Sequence, residues 1–183
     1  MVWMSFLYHK KMHPHKLNLW LALGAIVMFF IGFLCVYLML PPPSVRLPAS
    51  CWSSTGAIVL SGLTMHVGVL AFKRRQLLLH EMWLMVTGLL GLIFVLLQLV
   101  AFEQVYHWGI VAVHDGAASV LCVMAGAHLL YVLTGIGVLI ASLLRVHRRH
   151  FILYSATGLE ETAIYWYFVD SLWLGLFIFL LLA

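Results

Sequence analysis

Five apolar stretches, each long enough to cross a bilayer as a helix, limit what this chain can fold into. The chain has 183 residues, of which 64% are hydrophobic and only 9% are charged. A soluble domain carries about a quarter of its residues as charges. Because a bilayer core accepts only backbone that is hydrogen-bonded internally, we predict an all-α, polytopic membrane protein with one transmembrane domain, residues 1–183. The predicted spans are 17–40, 52–72, 82–102, 116–144 and 163–183.

Polar residues separate these spans and indicate their orientation. Three prolines, Pro41 to Pro43, end the first span. If the helices alternate in direction, nine of the ten basic residues fall on one side: Lys10, Lys11, Lys16, Lys73, Arg74, Arg75, Arg145, Arg148 and Arg149. Only Arg46 falls on the other side. The positive-inside rule then predicts a cytoplasmic N-terminus and a periplasmic C-terminus. The net charge of +4 reports this topology and needs no nucleic-acid partner.

Three ionisable residues lie deep inside the predicted spans, where such side chains are costly. At about 1.5 Å per residue, His66, His128 and Asp170 all lie roughly 18–21 Å from the outer ends of their helices. We predict a buried polar clamp in which Asp170 hydrogen-bonds to His128, Tyr131 or His66. A proton relay is the alternative, but it needs groups that reach both membrane faces, and the first and third spans supply almost none.

Ten histidines raise the question of haem or metal binding. His66 and His80 are fourteen residues apart, as are His114 and His128, a spacing that two-haem membrane cytochromes use. Lys73, Arg74 and Arg75 interrupt the first pair, and the second begins at a membrane edge. We therefore expect no catalytic residue, no cofactor ligand and no metal ligand in this chain. A membrane di-haem cytochrome stays the alternative from another class. A small transporter is disfavoured, because the chain lacks broken helices and repeat symmetry.

The basic residues on the predicted inner face have two interpretations. They could bind phosphate headgroups of phospholipid, or they could only fix the topology, and the sequence favours neither. The candidates for lipid headgroups are Arg74, Arg75, Arg145, Arg148 and Arg149.

Four stretches of the chain carry sequence motifs that are similar to those of one protein family. Residues 14–30 have a Lys-Leu-x-x-Trp-Leu entry into a helix, and residues 88–104 have a Leu-Gly-x-x-Phe run followed by a glutamine and a glutamate. Residues 126–135 are similar to the pattern Gly-x-His-x-x-His-Val-x-x-Gly. Residues 165–177 are similar to Trp-His-Phe-Val-Asp-x-x-Trp. In order and spacing, over nearly the whole chain, these motifs resemble the cytochrome c oxidase subunit III family of the haem-copper oxidases.

The resemblance implies a function as well as a fold. It implies an accessory, non-catalytic subunit of a terminal oxidase in the aerobic respiratory chain of a bacterial inner membrane, in the five-helix form of the family. It places haem and copper in the partner subunits I and II of a proton-translocating complex. The chain itself would stabilise subunit I and bind phospholipid, with further small subunits or a supercomplex left open. A quinol oxidase or a nitric oxide reductase system is the alternative within the family.

Three positions depart from the family pattern. Ile26 stands where the family has a membrane-embedded glutamate, and Tyr131 and Tyr167 stand where it has histidines. His128 and Asp170 match the pattern. Tyrosine keeps the capacity to hydrogen-bond but does not titrate near neutral pH as histidine does. The departures therefore favour a structural role over direct proton chemistry.

Overall fold

The computed structural model describes residues 14–41, 48–107, 116–148 and 156–182. The described residues form five helices: α1 Pro14–Leu38, α2 Ala49–Lys73, α3 Leu77–His107, α4 Gly116–Arg148 and α5 Ala156–Leu182. All five are long and apolar enough to cross a membrane. The all-helical class and the five predicted spans are thus confirmed, while the orientation of the termini stays a prediction.

The helices extend beyond the spans that hydropathy predicted. α3 begins at Leu77 instead of residue 82, and α5 begins at Ala156 instead of residue 163. An apolar run marks the part of a helix that lies in hydrocarbon, whereas backbone hydrogen bonding continues through the polar residues outside it. One consequence is that His80, which lies outside the predicted span 82–102, belongs to α3.

A tight turn joins α2 to α3. Arg75 adopts a left-handed conformation with φ of 59°, a position where glycine is more common. Its amide donates to the carbonyl of Phe72 at 2.9 Å, and the amide of Gln76 donates to the carbonyl of Ala71 at 2.9 Å. These two bonds satisfy carbonyls that would otherwise be left free at the end of α2. The turn therefore sends α3 straight back along α2.

The α2–α3 hairpin is the most extensive contact between helices in the described residues. α4 packs against α3, and α5 packs against both α2 and α4. α1 contacts only α4 and α5 among the described helices. Its buried residues are Leu23, Phe30 and Tyr37, which recur every seven residues and so form one narrow seam.

Trp166 of α5 lies where four helices meet. Its indole is 2% exposed and occupies notches over Gly91 of α3 and Gly135 of α4. Its Nε1 donates a hydrogen bond of 3.1 Å to the Oγ of Ser61 on α2. Glycine permits such close approach because it has no Cβ, and small residues serve this purpose widely in membrane helices.

These notches give a prediction with matched controls. A Cβ at Gly91 would lie 2.9 Å from the Trp166 ring, and one at Gly135 would lie 3.1 Å from it. Replacing either glycine by alanine should therefore lower stability by about 1–3 kcal/mol, the usual cost of overpacking. Gly88→Ala and Gly137→Ala are the controls, because no atom lies within 4 Å of a Cβ at either position.

The measurement is the thermal unfolding midpoint of the purified chain in mild detergent. Equal midpoints for the notch variants and their controls would contradict this account of the Trp166 packing.

Candidate functional site

One face of α5 carries the aromatic and acidic residues that point into the bundle. Trp166, Asp170 and Trp173 are spaced by four and three residues, which places them on the same side of a helix. All three are buried, at 2%, 7% and 2% exposure. This face brings the polar atoms of two indole rings and one carboxyl group into the interior, so we take it as the candidate site.

Trp173 anchors the C-terminal half of this face. Its Nε1 donates a hydrogen bond of 3.0 Å to the Oγ1 of Thr55 on α2. Its ring contacts Phe94 edge-on, with centroids 5.1 Å apart, and lies 5.0 Å from the ring of His128. Phe94 also meets His128 edge-on at 5.7 Å. The imidazole of His128 is thus held by two aromatic rings, one from α3 and one from α5.

Asp170 faces α2 at Gly62. A side chain at residue 62 would collide with the Oδ2 of Asp170, so the glycine makes room for the carboxyl group. Neither carboxyl oxygen of Asp170 has a hydrogen-bond partner among the described residues. The same holds for both ring nitrogens of His128 within the described ranges. Asp170 and His128 therefore lie in the interior as predicted, but without the hydrogen bond that was expected to join them.

The other two members of the predicted clamp lie elsewhere. His66 is exposed, and its Nδ1 lies 3.3 Å from the hydroxyl of Tyr167. Tyr131 is half-buried, and its backbone carbonyl accepts a hydrogen bond of 2.9 Å from the hydroxyl of Tyr165. The expectation that His66 is buried was wrong. Counting residues gives the depth of a side chain but not the direction in which it leaves the helix, and each residue turns about 100°.

The structure contains a row of polar contacts that the sequence analysis missed. It runs along the α2–α3 hairpin in four steps. The hydroxyl of Ser50 lies 3.0 Å from Oε1 of Gln104, and that of Ser54 lies 3.2 Å from Oε1 of Gln98. Thr64 and Thr87 share a hydrogen bond of 2.9 Å, and Nδ1 of His80 lies 2.8 Å from the carbonyl oxygen of Gly68. These contacts join α2 to α3 over most of their length.

A signal for this row was present in the sequence. Small residues recur on α2 at helical spacing, and all of them are buried: Ser54, Ala57, Ser61, Gly68 and Ala71. Such a stripe lets two helices approach closely, and its hydroxyl groups can hydrogen-bond across the contact. The stripe contains no ionisable residue, so the positions of ionisable residues did not indicate this row.

The first histidine pair is divided between two helices. His66 lies on α2 and His80 lies on α3, on opposite sides of the turn at Arg75. His114 lies outside the described residues. In the described part of the chain, no three His, Cys, Asp or Glu side chains lie close enough to hold one metal ion. The location of haem and copper in partner subunits stays a prediction.

Two clefts open on the bundle. One is an apolar groove of about 320 Å³ between α1, α4 and α5, lined by residues such as Phe30, Met124 and Leu176. The other, of about 150 Å³, draws on all five helices and has Gln98 in its wall. Arg74 and Arg75 are exposed at the α2–α3 turn. The side chains of Arg145 and Arg148, and all of Arg149, lie outside the described residues.

Comparison with known proteins gives a consistent result. Residues 54–182 match the family model described as cytochrome c oxidase subunit III. A probable cytochrome c oxidase subunit 3 of Mycobacterium bovis is 29% identical over 164 residues, which is 85% of this chain and 81% of the relative. A probable quinol oxidase subunit 3 of Staphylococcus haemolyticus is 28% identical, over 67% of this chain and 61% of its own length. A cytochrome c oxidase subunit 3 of Tetraodon nigroviridis is 33% identical over 83% of this chain and 63% of its own length.

The buried carboxyl group of Asp170 and the hydrogen-bonded indole of Trp166 lead to opposite predictions. Asp170→Asn removes a carboxylate that accepts no hydrogen bond from a described residue, so stability should stay the same or rise. Ser61→Ala leaves the buried Nε1 of Trp166 without its acceptor, so stability should fall by roughly 0.6–2 kcal/mol.

The stability of each variant is measured by unfolding in a graded detergent mixture and is compared with that of the unmodified chain. A loss with Asp170→Asn as large as that with Ser61→Ala would restore the clamp as the better account.

Proposed function

The chain belongs to the cytochrome c oxidase subunit III family, and we propose that it is the accessory, non-catalytic subunit of a terminal oxidase in an aerobic respiratory chain. The observation that carries the proposal is the family match over residues 54–182, which includes most of α2 and the whole of α3, α4 and α5. The matched region contains the Trp166 packing, Asp170 and three of the four contacts in the polar row of the hairpin. The chain is thus a subunit III of a haem-copper oxidase.

Its partners are the other oxidase subunits. Subunits I and II would carry the haem and copper, and this chain would pack beside subunit I and stabilise it. The exposed surface suits such a role, because large apolar side chains cover it on every helix. Whether further small subunits or a supercomplex are present does not affect the proposal.

Phospholipid is the second expected ligand. The groove of about 320 Å³ between α1, α4 and α5 is almost wholly apolar, and Ser171 is the one polar residue among the described residues that line it. Its composition suits an acyl chain. Arg74 and Arg75 are exposed at the end of the α2–α3 hairpin, where a phosphate headgroup would lie.

A bacterial inner membrane, with the N-terminus in the cytoplasm, is the proposed setting. Relatives from the bacteria Mycobacterium bovis and Staphylococcus haemolyticus are among the similar proteins, which supports this setting. If the helices alternate in direction, the sequence puts nine of the ten basic residues on one side, which supports this orientation under the positive-inside rule.

A quinol oxidase is the second candidate. Relatives of almost equal identity include both a probable cytochrome c oxidase subunit and a probable quinol oxidase subunit. The electron donor is bound by other subunits, so this chain supports both assignments equally.

Co-purification tests the proposed function. The chain, tagged at one terminus and expressed at native level in its own membrane, should bring down haem-copper subunits I and II in mild detergent. The haem spectrum and the protein bands identify them. Recovery of this chain alone would refute the proposal, and recovery of this chain with its own haem would in addition favour a di-haem cytochrome.

The lipid role is tested at Arg74 and Arg75. Replacing both by glutamine removes two positive charges, each of which contributes about 1 kcal/mol of attraction to anionic lipid. The amount of anionic lipid that co-purifies should therefore fall. Replacing both by lysine keeps the charge and is the matched control.

Mass spectrometry of the extracted lipid gives the ratio of anionic lipid to protein. If the glutamine and lysine variants retain the same lipid, the arginines only fix the topology.

A further inference from the structure

The smaller of the two clefts lies where all five helices meet. The described residues that line it include one near an end of each helix: Tyr37, Cys51, Val105, Ala118 and Leu180. These ends are the C-termini of α1, α3 and α5 and the N-termini of α2 and α4, so the cleft lies at one end of the bundle. Its shape therefore depends on how the helices pack.

Aromatic rings form part of the wall, and other contacts hold them in place. The Nε1 of Trp173 donates to the Oγ1 of Thr55 at 3.0 Å. The ring of Phe177 meets that of Trp52 edge-on, with centroids 5.0 Å apart. The described residues that line the cleft include no charged side chain. A wall that is preformed, aromatic and uncharged is typical of a site for a small uncharged molecule.

Gln98 brings an amide group to this wall. It is 3% exposed, and one end of its amide lies 3.2 Å from the Oγ of Ser54. No other hydrogen bond joins the amide to a described residue. Because Gln98 lines the cleft, its small exposed part faces the cleft. An amide has an acceptor at one end and a donor at the other, so whichever end contacts Ser54, the opposite end offers a hydrogen bond to a ligand.

The volume of the cleft limits what it can hold. It measures about 150 Å³, and an engineered apolar cavity of about that volume in another protein binds benzene. A ring of this size can pack against Trp173 and Phe177. We propose that the cleft binds one uncharged aromatic ring with a hydrogen-bonding substituent, such as a phenol, and that the substituent contacts the amide of Gln98. This binding site goes beyond the proposed function and does not depend on it.

Water and acyl chains suit the cleft less well. An ordered water needs about two to four polar partners, and a wall this apolar offers few. An acyl chain would fill the space but leave the amide of Gln98 without a partner, which is costly in a buried position. The larger groove differs in this respect, because the hydroxyl of its Ser171 already donates to the carbonyl of Tyr167 at 2.7 Å.

Fluorine NMR tests the site with para-fluorophenol as the probe. The full chain in mild detergent should give a bound signal that detergent micelles alone do not give. Ala125→Leu fills part of the cleft and should remove that signal. Cys122 also lines the cleft, so the probe should slow its reaction with methyl methanethiosulfonate but leave the reaction of the exposed Cys35 unchanged. No bound signal, or equal slowing at the two cysteines, would overturn the inference.

Two glutamines of α3 give matched variants. Gln98→Leu should weaken the binding of para-fluorophenol by about twofold to tenfold, the range for one net hydrogen bond, and leave the binding of fluorobenzene unchanged. Ser54 keeps the carbonyl of Cys51 as an acceptor at 3.0 Å, so this variant should fold. Gln104→Leu is the control, because Gln104 makes the same kind of contact with Ser50 and is not among the described residues that line the cleft.

The affinities decide between the occupants. If Gln98→Leu binds para-fluorophenol as tightly as the unmodified chain does, or if Gln104→Leu loses as much affinity, the assignment of a ring with a polar substituent is wrong. A bound signal from fluorohexane and none from para-fluorophenol would identify an acyl-chain site and would also overturn it. These results leave the proposed function unaffected, because co-purification tests that function separately.

Discussion

The indole of Trp166 is the contact on which the bundle depends most. It reaches Gly91 on α3 and Gly135 on α4, and it hydrogen-bonds to Ser61 on α2. Lipid tails are as apolar as leucine, so the hydrophobic effect gives membrane helices little reason to associate. What holds them is close packing and satisfied polar groups, and Trp166 supplies both. A single side chain of α5 thereby fixes the spacing of three other helices.

The fold class could be predicted from the sequence because the bilayer leaves few choices. Apolar runs longer than about 18 residues must be helical, and charged turns must lie outside the hydrocarbon. The prediction failed at the helix ends, where α3 begins at Leu77 and α5 at Ala156. Hydropathy indicates which part of a helix lies in hydrocarbon, whereas the residues that cap a helix decide where it ends. At the end of α2 the chain turns at the left-handed Arg75, where no glycine marks the turn in the sequence.

The candidate site could be predicted in part. The depth count placed Asp170 and His128 in the interior, and both are buried. It could not tell that His66 leaves α2 on the exposed side, because depth and direction are independent properties of a helical residue. Nor could it find the contact of His80 with Gly68, which depends on two backbones coming close at a glycine. Such contacts involve pairs of positions on different helices, and a single sequence shows only one helix at a time.

The sparse contacts of α1 have a consequence for how the protein is made. Among the described helices α1 touches only α4 and α5, through the seam of Leu23, Phe30 and Tyr37. Synthesis runs from the N-terminus, so α1 enters the bilayer long before either partner exists. The two helices of the α2–α3 hairpin are consecutive in the chain, so they can pack together as soon as α3 is inserted. Of the five helices, the one inserted first therefore has no packing partner until α4 is inserted, and its seam is complete only when α5 follows.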